Sequence, residues 1–362
     1  MKIMLFLCLV LIFVCTMCYA VNFSKDDRYR VVSSVEELYS AFENQPENGN
    51  FSIVIRPGHY TINKTLKIED KPCVVIEGSG WNTQLDKIGE GNAFEIINCG
   101  FAEIKNFILN GASSAKGTSG IILRGSSSCT IEKVRVSLFP ESGIRYEGDP
   151  KSPMSSNTLK DCHFIENYGD QLYSYNNNDY YIERNQFGAT GIMKEPCAKV
   201  GAKLIQSSAG NYTQNYHWEN TVDVMIINSH YNRFENNRFE EARETGVILG
   251  DPNTDEISIF NIFLGNTFHT NSKSKYGAFP SFIAYNAMNT TFTSNQFFSW
   301  NAEFMPSSCL IVEKGCSDWI IKDNILKYSA NEPLIVSETA KDMIISDNII
   351  KEGFKSKAKS TP

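Results

Sequence analysis

Ile182-Glu-Arg-Asn185-Gln-Phe187 and Phe234-Glu-Asn-Asn237-Arg-Phe239 are two copies of one phrase, and its recurrence decides the fold. Sliding the phrase along the chain places Phe107, Val134, Cys162, Asn185, Tyr216, Asn237, Asn266, Asn295, Asn324 and Asn348 at its fourth position, at intervals of 21 to 31 residues. A period of that length marks a solenoid, whose repeats bury their apolar sides only by stacking on one another. Upstream of the phrase lie short apolar runs such as Gly143-Ile-Arg-Tyr146, Asp170-Gln-Leu-Tyr173 and Gly246-Val-Ile-Leu249. They are rich in β-branched and aromatic side chains and bounded by Gly, Asn, Ser and Asp, so they read as strands. Two or three short strands per repeat, without an intervening helix, make one rung of a parallel β-helix.

The Asn column is read as structural. Asn tolerates the left-handed conformation of a tight turn, and identical amides stacked rung on rung can bond into a ladder. No chemistry is assigned to Asn185, Asn237, Asn266, Asn295, Asn324 or Asn348.

Residues 1–20 form a secretory leader: Met1-Lys2, an apolar run from Ile3 to Met17, and a small-residue end at Cys18-Tyr-Ala20. A mature chain starting at Val21, secreted or extracytoplasmic, is expected, with no membrane contact beyond the leader. Three of the ten cysteines fall in it. The other seven show no CxxC spacing and no His at ligand distance, so they are expected as buried thiols, with one or two disulfides left open after export. The chain carries 41 acidic against 34 basic residues, a net charge of −7, which argues against a nucleic-acid partner.

Residues 21–52 hold a capping helix. Ser34-Val-Glu-Glu37 is a capping box, and Val35, Leu38 and Phe42 share one face of the helix it opens, through about Asn44. Such a helix can lid the apolar end of a solenoid. The coil itself is read over 53–353, beginning at Ile53-Val-Ile-Arg-Pro-Gly-His-Tyr60 and offering room for about eleven rungs. Parallel crossovers make it right-handed. A basic, polar tail, 354–362, is expected to be disordered.

Ile55-Arg-Pro-Gly-His-Tyr-Thr-Ile62, the turn Glu77-Gly-Ser-Gly80 and the later rungs resemble the pectate-lyase-like superfamily of right-handed parallel β-helices. The resemblance covers Ser34 to Gly353 and implies an all-β, single-stranded coil. It implies less about activity, because the superfamily holds hydrolases, lyases, epimerases, tailspike depolymerases and proteins without known catalysis. Branch-specific motifs are missing. Of the four polygalacturonase motifs only Asn253-Thr-Asp255 matches, with none of the others at suitable spacing, and neither the pectate-lyase Arg-x-Pro-x-x-Arg nor the alginate-epimerase Tyr-Gly-Phe-Asp-Pro-His occurs.

By the same resemblance, substrates lie on the outer face of the first strand of each rung, beneath the loop preceding it. The outward residues there include Arg145, Glu147, Tyr173, Tyr175 and Lys203, with Asp170 at a strand start and longer insertions at 188–200 and 269–280. Glu147 and Asp170 are the candidate catalytic carboxylates, as an inverting pair; Arg145, Tyr173, Tyr175 and Lys203 are candidate substrate-binding residues. A uronate lyase would instead use Lys203 or Tyr173 as base, with Arg145 neutralising the substrate carboxylate. Trp218 and Trp300 are read as core. The function expected is a secreted polysaccharide-active enzyme, cleaving glycosidic bonds by hydrolysis or β-elimination; the alternative is a non-catalytic glycan-binding or structural β-helix at the cell surface. No cofactor or metal site is expected, calcium remaining open only for a lyase. The partner is a polysaccharide, and a homotrimer is left open.

Overall fold

The computed structural model describes residues 28–47, 49–111, 117–189, 199–300 and 303–351. The expected leader and tail lie outside the described residues, as do most of the 188–200 insertion and Cys197.

The chain coils as a solenoid with three faces. In a typical rung, Tyr181–Glu183 lies on the first face, Gln186–Gly188 on the second and Val200–Ile205 on the third. Every ladder between named strands is parallel, and the third face is one sheet of eleven strands from Leu66–Glu69 to Leu334–Val336. Alternation does the rest: along Ser142–Glu147, Ile144 and Tyr146 point inward and are buried, while Arg145 and Glu147 point outward.

Inside, the apolar positions of the phrase stack as aromatic columns. Phe187, His217, Phe239, Phe268 and Phe297 follow one another with ring centroids 4.3–5.4 Å apart, and Tyr212, Phe234 and Phe263 form a second column at 4.8–5.3 Å. Offset and tilted stacking adds to the burial of each ring.

The Asn column is present, with two corrections. Its member between Asn185 and Asn237 is Asn215 and not Tyr216: the run is Asn185, Asn215, Asn237, Asn266, Asn295, Asn324, Asn348, each backbone N–H donating to the next Oδ1 at 2.8–3.0 Å. Nor do these residues take the left-handed conformation. That falls on the residue before each, such as Arg184 (φ 55°), Asn236 (φ 52°) and Asp323 (φ 55°). The ladder Asn is needed for its buried amide: Asn266 Nδ2 donates to the Phe234 carbonyl at 2.9 Å and to Asn295 Oδ1 at 3.0 Å, satisfying groups that the turn removes from water.

The helix forms as expected. It spans Val35–Glu43, Ser34 Oγ accepts from the Glu37 N–H at 3.2 Å, and Glu37 Oε2 accepts from the Ser33 N–H at 2.7 Å. Leu38 and Phe42 are buried against the first rungs. A strand not foreseen, Tyr29–Val32, precedes the helix and pairs with Phe51–Ile55, so the coil begins before its cap.

Six of the seven cysteines after residue 20 are described and all six are free; Cys99, Cys129, Cys162, Cys309 and Cys316 are buried. Trp218 and Trp300 are not core. Trp218 points outward on the second face, and Trp300 is 67% exposed.

Candidate functional site

The third face gathers most of the predicted residues. Arg145, Tyr173 and Lys203 stand in register on three adjacent strands, and Glu147 pairs with Tyr175 one outward position along. The Arg145 guanidinium lies 4.2 Å from the centre of the Tyr173 ring, donates to Glu147 Oε1 at 2.8 Å and reaches Glu141 Oε1 at 3.0 Å. Arg124, one strand upstream, takes the other oxygen of Glu147 at 2.8 Å and 3.0 Å. Burial alone would raise the Glu147 carboxyl, but hydrogen bonds and charge from Arg145 and Arg124 outweigh it and hold the group below its ordinary value. Glu147 is a structural anion with both oxygens occupied.

The register also separates Glu147 from Asp170. Asp170 sits opposite Ser142, whereas Glu147 sits opposite Tyr175, five residues further along the strand. At ~3.3 Å per residue that is roughly 16 Å. An inverting pair needs its carboxyls about 6.5–9.5 Å apart. The two residues expected as partners are thus not brought together.

Asp170 has a different carboxylate beside it. Its backbone N–H donates to the Glu141 carbonyl at 3.0 Å, which sets the two residues on adjacent rungs at the corner entering the third face. Gly169 permits that approach, since a Cβ there would meet the Glu141 carbonyl oxygen at 1.7 Å. Burial raises the Asp170 carboxyl above its ordinary value; Lys203, Arg145 and Lys199 pull against the rise without cancelling it, and Glu141 adds to it. Glu141 has a side chain 43% exposed and accepts from Arg145. Glu141 was not picked out from the sequence. The signal was there in the repeat: Glu141 stands immediately before Ser142–Glu147, as Gly169 stands before Asp170–Tyr175, so stacking brings Glu141 to Asp170.

From this pair the corner runs on through backbone bonds. Lys199 N–H donates to the Gly169 carbonyl, Val222 to Lys199, Glu244 to Thr221 and Ser272 to Glu244, at 2.9–3.0 Å. Two to four rungs downstream, about 10–20 Å along the axis at ~4.8 Å per rung, it opens into a cavity of about 550 Å³ lined by Thr221, Arg243, Glu244, Lys273, Ser274 and Phe304. Lys273 is braced by Glu219 and Glu241, each at 2.5 Å, while Arg243 has no ion pair among the described residues. The 269–280 insertion forms one wall, as its placement in the sequence implied. Asn253 and Asp255 lie apart from this corner, in an exposed turn around Asp251. Among the described residues no three His, Cys, Asp or Glu side chains converge to hold a metal ion.

Residues 154–326 match the family model described as right handed beta helix region. The chain is a right-handed parallel β-helix. No curated protein sequence matches it. Among solved structures it is similar to DFA-IIIase from Arthrobacter chlorophenolicus A6, at 13% identity and a TM-score of 0.67, covering 90% of this chain and 99% of that one. The A-module of mannuronan C-5 epimerase AlgE6 from Azotobacter vinelandii is similar at 13% identity and a TM-score of 0.57, over 87% and 92% of the two chains. A tailspike protein from an Escherichia coli O157:H7 bacteriophage is similar at 14% identity and 0.57, covering 77% of this β-helix and 42% of the tailspike. These likenesses are of fold alone, the right-handed parallel β-helix.

Proposed function

We propose that this β-helix cleaves glycosidic bonds in a polysaccharide laid along the corner from Asp170 to the Arg243 cavity, with Asp170 as general acid and Glu141 as general base. The observation that carries the reading is the Asp170–Glu141 juxtaposition: two carboxyl groups on adjacent rungs, one pushed toward its protonated form and the other exposed to water. A carboxyl raised by burial suits the role of acid, and an exposed carboxylate beside it can reach the attacking water as base. The Asp170 proton passes to the glycosidic oxygen as the bond to the anomeric carbon breaks; Glu141 takes a proton from the water that attacks that carbon, and two hydroxyl ends result. Lys203, Tyr173 and the cavity hold the chain on either side. Glu147 acts indirectly, by fixing the Arg145 that donates to Glu141.

For β-elimination Tyr173 is the weaker of the two candidate bases, which leaves Lys203 for that role. Burial raises the Tyr173 phenol, with Glu147, Tyr175 and Asp170 adding to the rise and Arg145 opposing it, so it is a weaker candidate for removing a proton near neutral pH. The glycan substrate is also in keeping with the neighbours of this fold, one of which is a DFA-IIIase solved in complex with GF2. An exported protein, as the leader suggests, would meet such polymers outside the cell.

The test is incubation with neutral and uronate polysaccharides, reading reducing ends together with the ultraviolet absorbance of unsaturated products. New reducing ends without absorbance support hydrolysis. Absorbance moves the assignment to elimination with Lys203 as base, and no product from any polymer removes the catalytic reading.

A further inference from the structure

The second face carries an aromatic surface that the cleavage site does not use. Tyr216–Trp218, Arg238–Glu240, Thr267–His269 and Gln296–Phe298 pair in register there, so that Trp218, Glu240, His269 and Phe298 form one outward row. At its downstream end the row is open to solvent: Phe298 is 38% exposed and Trp300, just beyond it, 67%. Large rings carry much of the apolar area a chain can bury, so leaving two of them outside forgoes stabilisation.

These rings are held in place. The Trp300 indole lies parallel to the His269 imidazole, 5.9 Å away with 10° between planes, and Phe298 packs on the same imidazole at 4.5 Å. His269 is fixed through Nδ1 by Glu240 at 3.1 Å. The other Glu240 oxygen accepts from the Tyr216 hydroxyl at 2.6 Å and pairs with Arg238 at 2.7 Å. Arg238 in turn lies 5.1 Å from the centre of the Tyr216 ring, which stacks on Trp218 at 5.0 Å. A ring immobilised before binding gives up little conformational freedom when a ligand arrives.

The polarity of the surface selects the ligand. Arg238 and Glu240 cancel, and the parallel outward row is otherwise Gln186, Tyr216, Thr267 and Gln296, amides and hydroxyls without charge. Flat rings beside uncharged donors and acceptors complement a sugar ring, which offers an apolar C–H face and a rim of hydroxyls. Within the four strands from Tyr216–Trp218 to Gln296–Phe298 the one arginine, Arg238, is paired with Glu240, and the first cation without an ion pair among the described residues is Lys327, the outward residue of the next strand. Trp218 lies three strands from Phe298, roughly 14 Å at ~4.8 Å per step, so only an extended chain reaches both ends.

We propose that this face binds a neutral polysaccharide, with Trp300 and Phe298 as stacking platforms and Gln296 and Thr267 bonding the sugar hydroxyls. It holds the polymer across the corner from Asp170, and the binding does not depend on the cleavage assigned there, so either assignment can fail alone.

The experiment is affinity electrophoresis of the Asp170→Asn protein, chosen so that any cleavage cannot consume the ligand, through gels cast with inulin, xylan, mixed-linkage β-glucan or alginate. Retardation is expected in at least one of the three neutral gels. Replacing Trp300 and Phe298 together by Ala should weaken it about tenfold, at roughly one half of that loss per ring in free energy, while Trp300→Tyr keeps most of it; thermal unfolding checks that each variant is folded. Retardation in alginate alone, no retardation in the neutral gels, or retardation unchanged by the double substitution would overturn the proposal.

Discussion

Two corners of the same coil behave in opposite ways. Between the first and second faces, the turn is the same in rung after rung: a left-handed residue, then an Asn whose amide is buried and bonded to the Asn above and below. Between the second and third faces, the connection changes length from rung to rung, and there lie Glu141, Asp170 and the 550 Å³ cavity. Stacking makes the difference. A group that repeats can satisfy its neighbour and becomes scaffold, whereas a group that occurs once, next to a carboxyl of like charge, is left with chemistry to offer.

The comparison breaks first at the ladder. Asn266→Leu leaves the Asn237 N–H and the Phe234 carbonyl without partners, and at about 1–3 kcal/mol for each unsatisfied buried group the fold should lose roughly 2–4 kcal/mol. Denaturant unfolding reads that loss, and turnover per folded molecule should stay within about twofold. At the other corner the effects reverse. Glu141→Gln should lower turnover by about 10²-fold, equivalent to ~2.7 kcal/mol of transition-state stabilisation, with little change in unfolding midpoint.

A smaller effect sharpens the contrast through pH. The Asp170 carboxyl is raised in the fold, so the native state binds its proton more tightly than the unfolded chain does. Its contribution is complete below the unfolded value near 4 and is lost as pH rises through the folded value. Asp170→Asn removes that dependence, and unfolding at about pH 7 should show the variant gaining on the wild type relative to about pH 4. The smallest expected effect is that of Glu147→Gln. Both its oxygens face arginines and its strand position is distant from Asp170, so initial-rate measurements should show turnover within about tenfold of the wild type.

The coil was legible in the sequence because its physics is periodic. Phe187, Phe239, Phe268 and Phe297 recur at one position of the phrase, and the rungs cannot bury them any other way. The slip at Tyr216 is instructive. Tyr212-Thr-Gln-Asn215-Tyr-His217 is a true copy in which His217 fills the Phe position, stacked on Phe187 at 4.9 Å and bonded to the Tyr212 hydroxyl at 2.6 Å. Burial pushes that imidazole down to about 3, so it packs as a neutral ring, which a search for apolar letters passes over. Trp218 was misplaced for a related reason, since alternation turns the residue after the inward His217 outward, while Trp300 lies past the end of its strand at Phe298. The carboxyl pair was only half legible. Asp170 stood out at a strand start, but its neighbour is set by which residues share a rung at an irregular corner, and Gly169 rather than any charge pattern admits Glu141.

The most direct test of the account is the turnover of Asp170→Asn set against its unfolding midpoint, on whichever polysaccharide the wild type degrades. Loss of turnover by about 10²-fold or more, with a midpoint equal to or above that of the wild type at neutral pH, is the result predicted. Near-normal turnover in a folded Asp170→Asn protein would contradict it and remove the corner carboxyls from the chemistry of this β-helix.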